Sequence, residues 1–250
     1  MQLFSGLVSP SVKTLSIEPL RTDIFHQGEN LVDFILSHVQ SRNLEGSILA
    51  ITSKLLSLEE NRTAPSHVSK TDLIIQESDH YLGEIGYGCH LAIKHGLLVA
   101  SAGIDISNSE SGDYLLYPRD PYLSAHKLRT ELKIRLQLRE FGVLVTDSHT
   151  TPLRHGVQGI TLAFAGFSPV KNLVGEKDIF GRPLKMTKTN DADALAAAAV
   201  LMMGEAAEQR PLALIQNAPV VFTDEDHRAD LEVPVDEDMY KPLYQHFLKK

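Results

Sequence analysis

The chain has 250 residues, 43% hydrophobic and 22% charged, enough apolar material for one large core or two interlocked lobes. Lys and Arg total 24 against 32 Asp and Glu, a net charge of −8, which argues against a general binder of nucleic acid or anionic membrane. The only cysteine, Cys89, excludes an intramolecular disulfide and a cysteine-based zinc site.

The opening "MQLFSGLVSPSVKTL" has no basic leader followed by an apolar core, and the longest apolar run, residues 194–203, is too short for a bilayer. A soluble cytoplasmic protein is expected. After Gly28, Leu31, Phe34, Ile35 and Val39 recur at helical spacing. Residues 48–51 are an apolar run that predicts a buried strand leading into Thr52, Ser53 and Lys54. "HLAIKHGLLVASAGIDISN" predicts a hairpin turning at His95-Gly96, with its second strand ending in residues 103–108.

Asp120-Pro121 opens a helix, Asp as N-cap and Pro at the first helical position. Leu128, Leu132 and Leu136 form its stripe, and it is expected to stop near Gly142. Residues 143–145 then read as a strand delivering Asp147, and residues 160–164 as another. Asn190 or Asp191 starts a helix through "ADALAAAAVLMM", Gly204 stops it, and Glu205 follows. The last 27 residues, 224–250, are acidic and then end in "YKPLYQHFLKK", which reads as a docked tail or short helix. The expected class is α+β, or mixed α/β, in one domain over 1–250 that is either a single body or two interlocked lobes.

Three apolar segments end in polar turns: "AGIDISN", "LVTDSHTTPLRHG" and "LMMGEAAEQRP". They present Asp105, Asp147 and Glu205 at the ends of regular elements. Hard oxygens gathered from separate elements suit Mg²⁺ or Mn²⁺, and Ser148 and Asn108 add neutral oxygens. Taken singly, the bland reading is favoured for each acid, Asp105 as a turn cap, Asp147 as an Asx-turn residue and Glu205 as a solvated group, and spacing does not bring them together. His149 and His155, among 11 histidines, match no common zinc spacing. Ser148 lies in no Gly-x-Ser-x-Gly elbow, and Gly-rich nucleotide fingerprints are absent. Lys54 and Arg154 are candidate phosphate or carboxylate contacts. Arg62 reads as a surface cation, and Arg182 in "FGRPL" as structural or ligand-facing.

Together "TSKLLSLEENR", "GIDISN", "TDSHTTPLRHGVQGI" and "DIFGRPLKMTKTNDADALAAAAVLMMGE" resemble, in order and over most of the chain, the coenzyme F420-0:γ-glutamyl ligase family. The resemblance implies a mixed α/β subunit in an intertwined homodimer. It implies a ligase dependent on GTP (or ATP) and on Mg²⁺ or Mn²⁺, two ions per site. Its expected partners are L-glutamate and a carboxylate-bearing acceptor, F420-0 or a reduced folate. By the matching motifs, Asp105, Asp147, Ser148 and Glu205 bind metal, while Ser53, Lys54 and Asn108 line the nucleotide site. Lys54 and Arg154 would offset charge during phosphoryl transfer.

The chain departs from the family pattern at Leu58, where a cation is expected, and at Asn61, where a glycine is expected. "SHTTPLRHG" also replaces the aromatic run common after the Thr-Asp motif, and is closer to the folate-associated branch. The alternatives are a non-catalytic nucleotide-binding regulator and a metal-dependent phosphohydrolase.

Overall fold

The computed structural model describes residues 13–39 and 42–248. Residues 1–12 of the opening stretch read in the sequence therefore lie outside the described residues. In chain order the elements are β1 (Ser16–Leu20), α1 (Leu31–Val39), β2 (Ser47–Thr52), α2 (Ser53–Glu59), β3 (Thr63–Ala64) and α3 (Lys70–Glu77). Next come β4 (His80–Glu84), β5 (His90–Lys94), β6 (Leu97–Ala100), β7 (Tyr114–Leu115), α4 (Pro121–Leu136), β8 (Phe141–Thr150) and β9 (Val157–Ala165). The chain closes with β10 (Val170–Asn172), β11 (Lys188–Asn190), α5 (Asp191–Met203), β12 (Leu212–Gln216), α6 (Arg228–Leu231) and α7 (Lys241–Tyr244).

The mixed α/β class expected from the sequence is what forms. Five strands make the main sheet in the order β1-β12-β2-β8-β9. Only β2 and β8 run parallel, and the other pairs are antiparallel. Strand periodicity then divides the core. Leu49 and Ile51 of β2, Val143 and Val145 of β8, and Leu212 and Leu214 of β12 join the cluster covered by α1, α2 and α4. Their neighbours Ile48, Ala50, Leu144, Ala213 and Ile215 join the cluster on the opposite face, under α5. Strands buried on both faces read as unbroken apolar runs, which is why "SILAIT" shows no alternation.

Helix α5 lies close to the sheet because its inner residues are small. Ala192, Ala196 and Ala199 are fully buried, and a Cβ on Gly159 of β9 would overlap the Ala196 carbonyl and the Val200 side chain. Asn190 caps α5 through the Asp193 N–H at 3.0 Å, and Gly204 ends it. Asp120 caps α4 in the same way, through the Leu123 N–H at 3.0 Å. A separate three-stranded meander, β4-β5-β6, turns at His95 and Gly96, both with positive φ as a two-residue hairpin requires.

Three expected boundaries move. Helix α4 ends at Leu136, not near Gly142, because Gln137 adopts the left-handed conformation and Leu138 N–H closes onto the Lys133 carbonyl. Strand β6 stops at Ala100, and a tight turn over Ser101–Gly103 precedes Asp105. Strand β8 does not end at Asp147 but continues to Thr150, paired throughout with β9. In the C-terminal segment, Tyr244 is buried in one cluster with Leu82 and Ile93 of the meander.

Candidate active site

A cavity of about 550 Å³ opens at the C-terminal ends of the parallel strands β2 and β8. Parallel strand ends are natural ligand sites, because the chain leaves the sheet there in loops and helix starts. The chain supplies three walls. Beyond Thr52 the backbone turns into α2, which places Lys54 in its first turn. On β8 a register shift between Val145 and Thr146 re-aims the strand just before Asp147 and Ser148. Past α5, Gly204 turns the chain so that Glu205 faces the same space.

The fourth wall is the loop after β6. Asp105 pairs with Leu115 through both backbone hydrogen bonds, at 2.7 and 3.1 Å, which fixes the loop against β7. Its carboxylate accepts from the Ile106 and Ser107 N–H groups, from the Ser107 hydroxyl, and from Lys54 Nζ at 2.7 Å. Burial works against ionisation of Asp105, but the Lys54 and Ser107 hydrogen bonds overcome it and hold the carboxyl well below the usual range.

Asp147 is the opposite case. Burial pushes its carboxyl up to about 6, against the hydrogen bonds from the Tyr117 hydroxyl and the Ser148 backbone. Burial likewise raises the Glu205 carboxyl against the pull of Ser148 and Lys54. Asp105, Asp147 and Glu205 thus share one cavity with Asp23, Glu110 and Glu208, and its cationic wall residues are Lys54, paired with Asp105, and Arg210.

The cavity therefore brings together Lys54, Asp105, Asn108, Asp147, Ser148 and Glu205. Ser53 is buried behind them and lines a smaller recess of about 140 Å³, with Ser57, Tyr117 and Gly103. Arg154 is not brought in: it stands exposed in the β8–β9 turn, outside the walls of both spaces. Arg62 is not on the surface either. It is bound to Glu77 at 2.6 Å and to the Tyr117 carbonyl at 2.9 Å, so its role is to hold the loop. Arg182 pairs with Asp178 inside its own exposed turn.

Leu58, where a cation is expected, lines the cavity as an apolar surface beside Phe25 and Met203. Tyr117 carries no motif, and its part in the site arises from contact across the fold; Ser107 lies within "GIDISN" but is not singled out there. Among the described residues, no three His, Cys, Asp or Glu side chains already converge on one point as a preformed ion cage.

Comparison with known proteins decides the family. The model of the F420-0:Gamma-glutamyl ligase family matches residues 19–217, most of the chain. The chain belongs to this family. It is 34% identical over 206 residues to the coenzyme F420:L-glutamate ligase of Methanothermobacter thermautotrophicus, covering 77% of this chain and 78% of that protein. The ligase of the same name from Archaeoglobus fulgidus is 31% identical over 215 residues, covering 79% and 85%. That from Methanocaldococcus jannaschii is 40% identical over 148 residues, covering 59% and 58%. As a member of the F420-0:γ-glutamyl ligase family, the protein is an enzyme of the amide-forming ligase class. Among the described residues no helix is long and apolar enough to cross a membrane.

Proposed function

We propose that the protein joins L-glutamate through a γ-linked amide to the carboxylate of an acceptor, F420-0 or a reduced folate, at the expense of a nucleoside triphosphate, GTP or ATP. The observation that carries this reading is the shared cavity of Lys54, Asp105, Asp147, Ser148 and Glu205 at the β2 and β8 strand ends. A carboxylate does not condense with an amine unaided, because its oxygen is a poor leaving group. Moving the γ-phosphoryl group onto an acceptor oxygen gives an acyl phosphate. The glutamate amine then attacks the acyl carbon, phosphate departs, and the amine loses its proton.

Phosphoryl transfer asks the protein mainly for position and charge. Lys54 is placed to meet phosphate oxygens once released from Asp105, and Asn108 to orient the nucleotide. The acids fit divalent cations by donor chemistry: three carboxylates and a hydroxyl around one cavity, two of the carboxyls raised because burial outweighs their hydrogen bonds. Asp105, Asp147, Ser148 and Glu205 would hold Mg²⁺ or Mn²⁺, which supply charge neutralisation at the phosphates. The apolar side made by Phe25, Leu55, Leu58 and Met203 suits the flat ring system of such an acceptor. Assembly as a homodimer is supported by the exposed Ile179, Phe180 and Met186 of the β10–β11 arm, 93%, 74% and 85% accessible.

A mass-spectrometric assay tests the proposal, with glutamate, Mg²⁺ or Mn²⁺, GTP or ATP, and F420-0 and tetrahydrofolate competing. Gain of a glutamyl unit on either acceptor is expected, with Asp147→Ala folded and inactive. Nucleotide hydrolysis without glutamyl transfer would instead favour a phosphohydrolase. An Asp147→Ala variant with unchanged turnover would overturn the metal assignment.

A further inference from the structure

Of the two cations on the wall of the candidate active site, Lys54 is paired with Asp105, and Arg210 is the other. Among the described residues, five arginines are buried or half-buried: Arg42, Arg62, Arg129, Arg210 and Arg228. Four of them meet a carboxylate at 2.6–2.9 Å, those of Glu18, Glu77, Asp224 and Glu232 in turn. Arg210 makes no ion pair or side-chain hydrogen bond with a described residue, and its neighbour Glu208 accepts instead from the Ala206 N–H at 2.8 Å. That bond does most to hold the Glu208 carboxyl below its usual range, and Arg210 adds to it only through space. A half-buried guanidinium without a partner carries a desolvation cost that the anionic group of a ligand would offset.

The backbone around Arg210 is fixed from both sides. The Gln209 carbonyl accepts from the Thr22 N–H and the Pro211 carbonyl from the Thr52 N–H, both at 3.0 Å. Arg210 therefore stands just before β12, between the chain leaving β1 and the chain leaving β2. Across the sheet, Leu212 of β12 pairs with Ile51 of β2, and Ile51 with Val145 of β8. Arg210 lies two residues before Leu212, and Asp147 two residues after Val145, at the same end of the sheet. Two strand spacings, about 10 Å, separate their backbones. The end of β2, with Lys54 beyond it, lies between them.

That spacing gives Arg210 a task apart from the reacting centre. On the ligase reading, on which this inference rests, the glutamate amine must reach the acyl carbon beside Asp105, Asp147 and Glu205. The α-carboxylate, one carbon from the amine, stays close to that centre. The side-chain carboxylate is the anionic end that extends away from it. Ala206 and Ala207, on the wall between Glu205 and Glu208, leave room for the methylene groups on the way. A guanidinium offers paired N–H donors that match a carboxylate bidentately. We propose that Arg210 binds the side-chain carboxylate of the incoming L-glutamate and so selects it over a neutral amino acid of the same length.

The test is steady-state transfer by the full chain, with L-glutamate and L-glutamine compared as amine donors in the wild type, Arg210→Met and Arg210→Lys. In Arg210→Met the KM for glutamate is expected to rise about tenfold or more, while kcat and the KM values for nucleotide and acceptor hold. The kcat/KM for glutamine should stay where it is, so the preference for glutamate collapses. Arg210→Lys keeps the charge without the fork and should recover part of the glutamate affinity. A raised nucleotide KM with an unchanged glutamate KM, or an equal loss for glutamine and glutamate, would overturn the proposal.

Equilibrium dialysis of radiolabelled L-glutamate, with Mg²⁺ and GTP but no acceptor, makes the same comparison without turnover. The wild type should retain glutamate about tenfold or more tightly than folded Arg210→Met. Equal retention, or none by the wild type, counts against Arg210. Failure of the wild type to transfer a glutamyl unit would sink the ligase reading, whereas transfer with a glutamate KM indifferent to Arg210 would sink this inference alone.

Discussion

Tyr117 donates its phenolic hydroxyl to Asp147, and the ring that carries it fills a slot that only a glycine at position 103 leaves open. Tyr117 is buried, and Asp147 opens onto the cavity while its carboxyl is desolvated. The tyrosine thus links the Asp105 loop to β8 and sets where one acid stands relative to the other. Tyr117→Phe keeps the ring and removes the bond. Such a supporting group around a charged site is worth about 10- to 100-fold in metal affinity or activity. The expected outcome is a loss of that size with an unchanged fold, measured by steady-state turnover against Mg²⁺ or Mn²⁺ concentration and by circular dichroism.

Gly103 has φ +73, and a Cβ added there would overlap the Tyr117 ring. Gly103→Ala therefore combines a strained backbone with a clash in a buried slot. Overpacking of this kind costs about 1–3 kcal/mol. Denaturant unfolding should register that loss, and activity should fall further than in Tyr117→Phe, because the ring must move as well. Unchanged stability would mean that the loop relaxes freely and does not fix Asp105.

What could be read from the chain was what is signalled locally. Asp120-Pro121, Asn190, Gly204 and His95-Gly96 act through caps and turns within a few residues, and each appears where expected. The boundaries that moved depend on other parts of the fold. Polar residues 147–150 look like a loop, yet β9 pairs their backbone and keeps them in strand. Helix α4 ends at a left-handed Gln137, a residue that carries no stop signal. Spacing could not bring Asp105, Asp147 and Glu205 to one cavity; resemblance to the family named them together. It could not place Arg154 either, because whether a turn points toward the cavity is decided by the strands that carry it. Tyr117 was invisible for the same reason, its partner lying 30 residues away.

Lys54 bridges Asp105 and Ser107 across 51 and 53 residues of sequence, so the cation is held before any ligand arrives. Lys54→Met preserves the stem and removes the charge. Removing a group that stabilises developing charge typically costs about 10²–10³ in turnover. That loss is expected in kcat/KM for the proposed nucleotide substrate, while thermal unfolding shifts little because the Asp105 backbone bonds remain. Full activity in Lys54→Met would remove this residue from the mechanism.

Arg129 is a buried cation that does not line the cavity, and its chemistry predicts a pH effect. Its Nε donates to the Phe141 carbonyl at 2.7 Å, and its Nη2 reaches Asp224 at 2.6 Å, with Lys133 on the same oxygen at 2.9 Å. Hydrogen bonds from Lys133 and Arg129 pull the Asp224 pKa down to about 2 from an ordinary 3.8. A carboxyl depressed in the folded state contributes stability above its unfolded pKa and loses it as pH falls through the folded value. The window therefore runs from about pH 4 down to about 2, between the ordinary and the depressed values. Because the Asp224 side chain is 73% exposed, water screens the pair and its worth is held to about 1 kcal/mol. Asp224→Asn should cost that much in urea unfolding at pH 7, and the difference from the wild type should shrink steadily as pH drops through the window. A difference that stays constant from pH 7 to below pH 2 would mean that the carboxylate's charge does not matter and that the substituted amide merely packs less well beside Arg129.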